Sequence, residues 1–152
     1  FGGFLGAHVD RRARERRIRQ PDAQMLIYPV FDLTLTSPSL DRLAEGYILT
    51  KKLVRWFRDH YLNPSDDPKA CSPWFWDDLR GTSPTVIATA GFDPLVDEGN
   101  AWAQRLREAG VPVRHHCYGS LIHGFVSMTG AIEAARIAID EVCADLVQML
   151  RS

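Results

Sequence analysis

Two apolar runs, each leading to a residue able to hold or move a proton, constrain this chain more than any other feature. The first, Val86 to Ala90, runs through Gly91 and Phe92 into Asp93. The second, Val111 to Tyr118, leads through a Gly119–Gly124 loop that carries His123. Between them lies a helical pattern that Asp97 can cap and that stops at Gly110, where a glycine just past a helix end is favoured. Strand, helix, strand in that order is the unit of a parallel sheet with right-handed crossovers. In an open parallel sheet, groups just past the carboxyl ends of strands meet in one crevice, where ligands bind. The pattern therefore predicts a carboxylate and an imidazole on one edge, two members of a nucleophile–base–orienter set.

The remaining elements extend the same architecture. Phe1 to Val9 is small and apolar, and it continues into the arginine-rich stretch Arg11 to Arg19. Glycine is costly inside an isolated helix, so Gly2, Gly3 and Gly6 predict a helix packed very closely against a sheet or tight turn. That helix is expected to start buried and end in solvent, its cations favoured by the helix dipole. Gln24 to Val30 is continuous and apolar, as a strand covered on both faces reads, with Pro29 marking its end. Asp32 also follows a strand and competes with Asp93 for a catalytic role, although Pro-x-x-Asp before a polar loop is ordinary turn chemistry. Residues 33–83 form a helical and irregular insert. Within it Thr50 caps a helix over Lys51 to Tyr61, with Leu53, Phe57 and Tyr61 on one face. The aromatic residues Trp56, Phe57, Tyr61, Trp74, Phe75 and Trp76 are expected to pack between helix and sheet rather than line a pocket. Glu98 falls in the first turn after Asp97, where the dipole favours acids. From Gly130 to Leu150, Ile132, Ala135, Ile139, Val142, Leu146 and Met149 recur at spacings of three and four, an amphipathic helix lying on the sheet.

Bulk properties exclude several classes of function. The formal net charge is −1, which favours neither nucleic acid nor an anionic membrane as partner. Cys71, Cys117 and Cys143 show no C-x-x-C spacing, so a disulfide framework and a zinc site are not expected, and a reducing, cytoplasmic setting is. No metal and no cofactor are called for. No apolar run approaches the ~20 residues of a membrane span. The chain opens Phe-Gly-Gly and shows no secretory leader; any N-terminal signal would lie outside it. Its 152 residues, 45% of them hydrophobic, suit one globular domain or a large piece of a bigger one, and the piece is the reading favoured here.

Ala90-Gly-Phe-Asp-Pro-Leu-Val-Asp-Glu-Gly99 and Tyr118-Gly-Ser-Leu-Ile-His-Gly-Phe125 together resemble the C-terminal part of the hormone-sensitive-lipase family of α/β-hydrolases, which are carboxylesterases. Leu26-Ile-Tyr-Pro-Val30 and Ser72-Pro73 also look like that family. The resemblance implies the C-terminal portion of an α/β-hydrolase fold, a mostly parallel sheet flanked by helices. It implies Asp93 as triad acid, His123 as general base, and a small-molecule ester of short to medium chain as substrate. Ile122 and Phe125, flanking the histidine, are expected to touch the acyl or alcohol part. The family's nucleophile sits in G-x-S-x-G on a strand-to-helix elbow, and no such motif occurs in this sequence. Phe1-Gly2-Gly3 fits the positions that follow that serine, so the nucleophile is expected just before Phe1, whose backbone N–H would be one oxyanion donor. An edge strand at Val111–Tyr118 could pair two subunits as a homodimer. The alternatives are a non-catalytic binding protein on the same scaffold, as the plant gibberellin receptors are, and a serine peptidase or amidase. His8, His60, His115 and His116 lack such context and are read as structural or exposed.

Overall fold

The computed structural model describes residues 1–151 and contains a three-stranded, all-parallel sheet in the order β1-β2-β3. The strands are Gln24–Ile27 (β1), Thr85–Phe92 (β2) and Val113–Ile122 (β3). In chain order the helices are Gly2–Glu15 (α1), Ser39–Arg42 (α2), Lys51–Tyr61 (α3), Pro68–Cys71 (α4), Val96–Glu108 (α5) and Glu133–Arg151 (α6). Short 3-10 turns at Pro73–Phe75 and Phe125–Met128 complete them.

The central strand separates two cores. Alternate side chains of a strand point to opposite faces. On one face Ile87 meets Ala7 of α1 and Trp102, Ala103 and Leu106 of α5. On the other, Val86, Ala88 and Ala90 meet Ala135, Ala138 and Val142 of α6. The result is a helix–sheet–helix sandwich, as an apolar parallel strand requires. The alternation expected in β3 is also present, but its faces are polar. Arg114, His116 and Tyr118 face α6, where they bond Asp145 and Glu141. His115 meets Thr89 on the opposite face.

Several expectations are modified. The strand predicted over 24–30 stops at Ile27, because Tyr28 adopts φ 37°, and Met25 is exposed. Among the described residues β1 pairs only with β2, so one of its edges carries no strand. Helix α1 ends at Glu15, before the last arginines, with Arg17 at φ 56°. It does not begin wholly buried: Phe4, Ala7, Asp10 and Ala13 are buried while Leu5 and Val9 are exposed. The close packing predicted from its glycines is present, since a Cβ on Gly3 would stand 2.7 Å from the Cβ of Pro29. The arginines have local partners. Arg14 bonds the carbonyls of Arg80 and Asp78, and Arg11 lies over the ring of Trp76.

Thr50 caps α3 by accepting from the backbone N–H of Leu53 at 3.1 Å. The aromatic segment divides. Trp76 joins the core, but Trp56, Phe57 and Tyr61 are exposed on α3, whose single buried residue, Val54, packs with Phe4, Leu33 and Leu95. Tyr61 stacks on Phe1 at 5.1 Å between ring centroids. Asp97 is not the cap of α5. Leu95 holds that position without a side-chain bond, and Asp97 instead forms a two-point ion pair with Arg42 of α2, at 2.7 and 3.0 Å. Helix α6 starts at Glu133 rather than Gly130, because the chain first forms the Phe125–Met128 turn.

Candidate active site

The carboxyl ends of the strands deliver Tyr28, Asp93 and His123 to one edge of the sheet. Asp93 directly follows β2 and is 1% exposed. One carboxylate oxygen, Oδ1, accepts from the backbone N–H of Leu95 at 2.9 Å. The other, Oδ2, lies 2.7 Å from Nδ1 of His123, which directly follows β3. With Asp93 ionised, Nδ1 is the donor, so the tautomer that carries its proton on Nδ1 is the one held. Both carboxylate oxygens are engaged, and the imidazole is fixed against a nearly dry carboxylate.

Two backbone features aim the histidine. Ala90 pairs with Tyr118, but Phe92 pairs with Ile122, so β3 carries extra residues opposite β2 at this point. Such a bulge bends a strand and redirects the side chain at its end. It brings the two backbones unusually close: a Cβ on Gly91 would stand 2.7 Å from the Cα of Gly119. Directly after His123 the chain turns through Gly124 at φ 84°, a conformation that L side chains rarely adopt. Residues 119–122, expected as loop, are therefore irregular strand, and the glycines there permit the irregularity.

Tyr28 is a neighbour of His123 that sequence reasoning missed. Its ring lies 4.3 Å from that of His123, centroid to centroid, and burial followed by the Asp93 charge holds its hydroxyl above the usual phenol range. A non-glycine residue at φ 37° is strained, typically by ~1–3 kcal/mol, and such residues cluster at functional sites. The available signal was its place immediately before Pro29, at the end of an apolar run.

His123 opens onto a cleft of about 510 Å³. Its walls are mostly apolar, and they include Phe1, Tyr28, Leu35, Val54, Phe57 and Val126. Phe1 thus stands in the same cleft as the histidine. Ile122 and Phe125 are not among the lining residues. Ile122 pairs with Phe92 in the sheet, and Phe125 is 0% exposed, packed against Tyr28 and Tyr118 in the α6-side core. Chain direction explains this: after Gly124 the backbone turns inward, and Val126 reaches the cleft instead. Phe125→Ala should consequently act on stability, by about 3–5 kcal/mol. Chemical denaturation of the variant checks this.

Asp32 makes no hydrogen bond to the histidine among the described residues. Its oxygens accept from the backbone N–H and hydroxyl of Thr34, at 2.8 and 2.5 Å, and from those of Thr36, at 3.1 and 2.6 Å. It organises its own turn. Glu98, read as a first-turn acid facing the dipole, is 3% exposed and reaches back across the site. Its Oε1 accepts from the backbone N–H of Phe31 at 2.6 Å and of Asp32 at 3.3 Å. Burial pushes its carboxyl up to about 8; the two N–H bonds oppose the shift, and the charges of Asp32 and Asp93 add to it. The other histidines have local partners: His8 the carbonyl of Cys71, His60 that of Trp56, His115 the hydroxyl of Thr89, and His116 the carboxylate of Asp145. Among the described residues no group of side chains could hold a metal ion, and no helix is long and apolar enough to cross a membrane.

Residues 1–127 match the profile of a family described as alpha/beta hydrolase fold. The chain is 41% identical over 135 residues to "Carboxylic ester hydrolase LipN" of Mycobacterium tuberculosis, covering 84% of this chain and 36% of that protein. It is 34% identical over 138 residues to "Ethyl acetate hydrolase" of Pseudomonas putida, covering 88% of this chain and 43% of that protein. Among solved structures, the ester-hydrolase EH1AB1 from the metagenome of Lake Arreo, complexed with a derivative of bipyridine phosphonate, superposes with a TM-score of 0.89. That pair shares 38% identity over 99% of this chain and 47% of the other. The hyperthermophilic esterase from Pyrobaculum calidifontis superposes with a TM-score of 0.88 at 33% identity, over 97% of this chain and 50% of the other. The chain thus spans less than half the length of these curated relatives.

Proposed function

The chain belongs to the α/β hydrolase fold family, in its hormone-sensitive-lipase-like branch, and on that premise we propose that it is the C-terminal half of a serine carboxylesterase. The observation that carries the reading is the 2.7 Å contact between His123 Nδ1 and Asp93 Oδ2 at the edge of an apolar cleft. A buried carboxylate bonded to one imidazole nitrogen leaves the other as a base, and a serine hydroxyl needs such a base to become a useful nucleophile.

The reaction then runs as follows. A serine outside these 152 residues, next to Phe1, attacks the ester carbonyl carbon while its proton passes to Nε2 of His123. Asp93 holds the ring by Nδ1 and stabilises the imidazolium. The oxyanion forms at the start of α1, where unpaired backbone N–H groups and the positive end of the helix dipole favour negative charge. The backbone N–H of Phe1 is the donor assigned to it; one such donor typically contributes about 10²–10³ in rate. Nε2 gives its proton to the departing alkoxide, the alcohol leaves, and the acyl group stays on the serine. Water, deprotonated by the same nitrogen, attacks the acyl carbon and releases the acid and the free serine. The mostly apolar walls of Leu35, Val54 and Phe57 suit the hydrocarbon part of a short- to medium-chain ester.

The test is intact-protein mass spectrometry of the full-length protein before and after treatment with a fluorophosphonate. The expected result is a mass well above 17.1 kDa and one adduct, mapped to a serine immediately preceding Phe1. A protein of 17.1 kDa that takes up no probe would overturn the esterase reading in favour of a binding role.

A further inference from the structure

Glu98 stands outside the triad yet joins two parts of the site. It lies on the first turn of α5, just after the turn that carries Asp93. Its Oε1 fastens the backbone at Phe31 and Asp32, and Phe31 also stacks on Trp102 of α5 at 4.4 Å between centroids. The segment held this way runs from Tyr28, which touches His123, to Leu35, and it supplies one wall of the cleft. The Oε2 of Glu98 is buried and has no hydrogen-bond partner among the described residues. A buried carboxyl oxygen without a partner is costly, so a role in holding a loop gives that burial a purpose.

We propose that Glu98 is a positioning residue for the esterase reaction, bolting the Phe31–Asp32 segment to the turn that carries Asp93 and so keeping Asp93, His123 and Tyr28 in mutual register. The proposal rests on the esterase reading. Glu98 works in its neutral form. The groups around it are the carboxylates of Asp32 and Asp93, with Asp97 beyond them on α5 already engaged by Arg42 of α2. Among the described residues no cation is paired with it, and its two N–H donors do not outweigh burial. A neutral acid is mimicked in shape and charge by glutamine, whose carbonyl can still accept from Phe31 and Asp32. Alanine removes the bolt.

The same assignment fixes a pH dependence. The carboxyl is raised from 4.5 to about 8 in the folded protein, so between those values the unfolded chain has lost a proton that the folded one keeps. Stability therefore falls as pH rises from about 4.5 to about 8, and Glu98 adds no further slope above that.

The experiment compares wild type, Glu98→Gln and Glu98→Ala in the full-length protein. It records kcat and KM on p-nitrophenyl butyrate across the pH range, well below each variant's melting temperature, together with Tm against pH. In Glu98→Ala, kcat is expected to fall by about 10- to 100-fold with a smaller change in KM, since displacement of reacting groups by about 1 Å costs that order of rate. Glu98→Gln should keep kcat near wild type at neutral pH. Its Tm should gain on wild type as pH rises from about 4.5 to about 8, and any alkaline loss of rate near pH 8 should move or vanish. Wild-type kcat in Glu98→Ala, a glutamine variant as damaged as the alanine one, or identical Tm slopes in wild type and Glu98→Gln would each overturn the proposal while leaving the esterase reading intact. A wild-type protein with neither turnover nor phosphonate labelling would remove the esterase reading, and this role with it.

Discussion

Replacing His123 by alanine in the full-length protein is expected to lower kcat on a p-nitrophenyl ester by about four to six orders of magnitude. The size follows from the role. Without an acceptor for the serine proton the nucleophile stays a hydroxyl, and without the same base the water that must release the acyl group is not activated. What survives is binding and oxyanion stabilisation, which in serine hydrolases leave about 10³–10⁴ over water. The loss should fall on kcat with little change in fold, because His123 is partly exposed and Phe125, its neighbour in the core, is untouched. Steady-state rates beside a thermal melt make the test. A variant that keeps a tenth of wild-type kcat would show that His123 is not the base.

Asp93→Asn carries the second-largest expected effect, a fall in kcat of about 10⁴ at neutral pH. Here the geometry survives and the proton goes to the wrong place. The asparagine oxygen can still accept from the backbone N–H of Leu95, as Asp93 Oδ1 does at 2.9 Å. Its amide nitrogen then faces His123 Nδ1 as a donor, so Nδ1 must give up its proton and Nε2 must carry it. A protonated Nε2 cannot take the serine proton, and no anion remains to stabilise an imidazolium. The same substitution should affect stability far less than Asp93→Ala, which also strips the acceptor from the start of α5. A ratio of kcat values for Asp93→Asn and wild type close to one would exclude Asp93 as the orienting acid. It would return Asp32 to contention, despite the four hydrogen bonds that occupy Asp32 in its own turn.

These two effects differ in mechanism from that of Glu98. His123 is assigned to carry the proton and Asp93 to orient and stabilise the imidazole that carries it, whereas Glu98 acts through the loop that carries Tyr28 and the cleft wall. The distinction is measurable. Glutamine should rescue position 98, where the neutral acid is the working form, while asparagine should fail at position 93, where the anion is. Two buried carboxyls a turn apart on one segment are thereby asked for opposite charge states. The two carboxyls differ in their partners: Asp93 has Leu95 N–H on one oxygen and His123 on the other, whereas Glu98 takes both its N–H donors on Oε1 and its Oε2 has no partner among the described residues.

Much of the architecture was legible in the residues because it is written locally. The apolar run Val86 to Ala90, the glycine at 110, the threonine at 50 and the period of residues 132–149 each report on their own few turns of backbone. Those signals place Asp93 behind one parallel strand and His123 in the loop that follows another. They also anticipated close packing of α1 against a sheet or tight turn, and in the structure Gly3 abuts Pro29. What they could not report is which neighbour a side chain meets from a distant segment. Phe125 sits in the core because the chain turns inward at Gly124 and α6 lies beneath it. Asp97 meets Arg42 instead of capping its helix, because α2 is folded against α5. Tyr28 touches His123, and Glu98 the N–H of Phe31, across separations of tens of residues that no local period encodes. Hydrogen-bond pattern and hydrophobic period act over a few residues, so the order of elements and the position of the acid and base could be read from the chain. Burial and partner choice depend on the packing of the whole, and only the tertiary structure decided them.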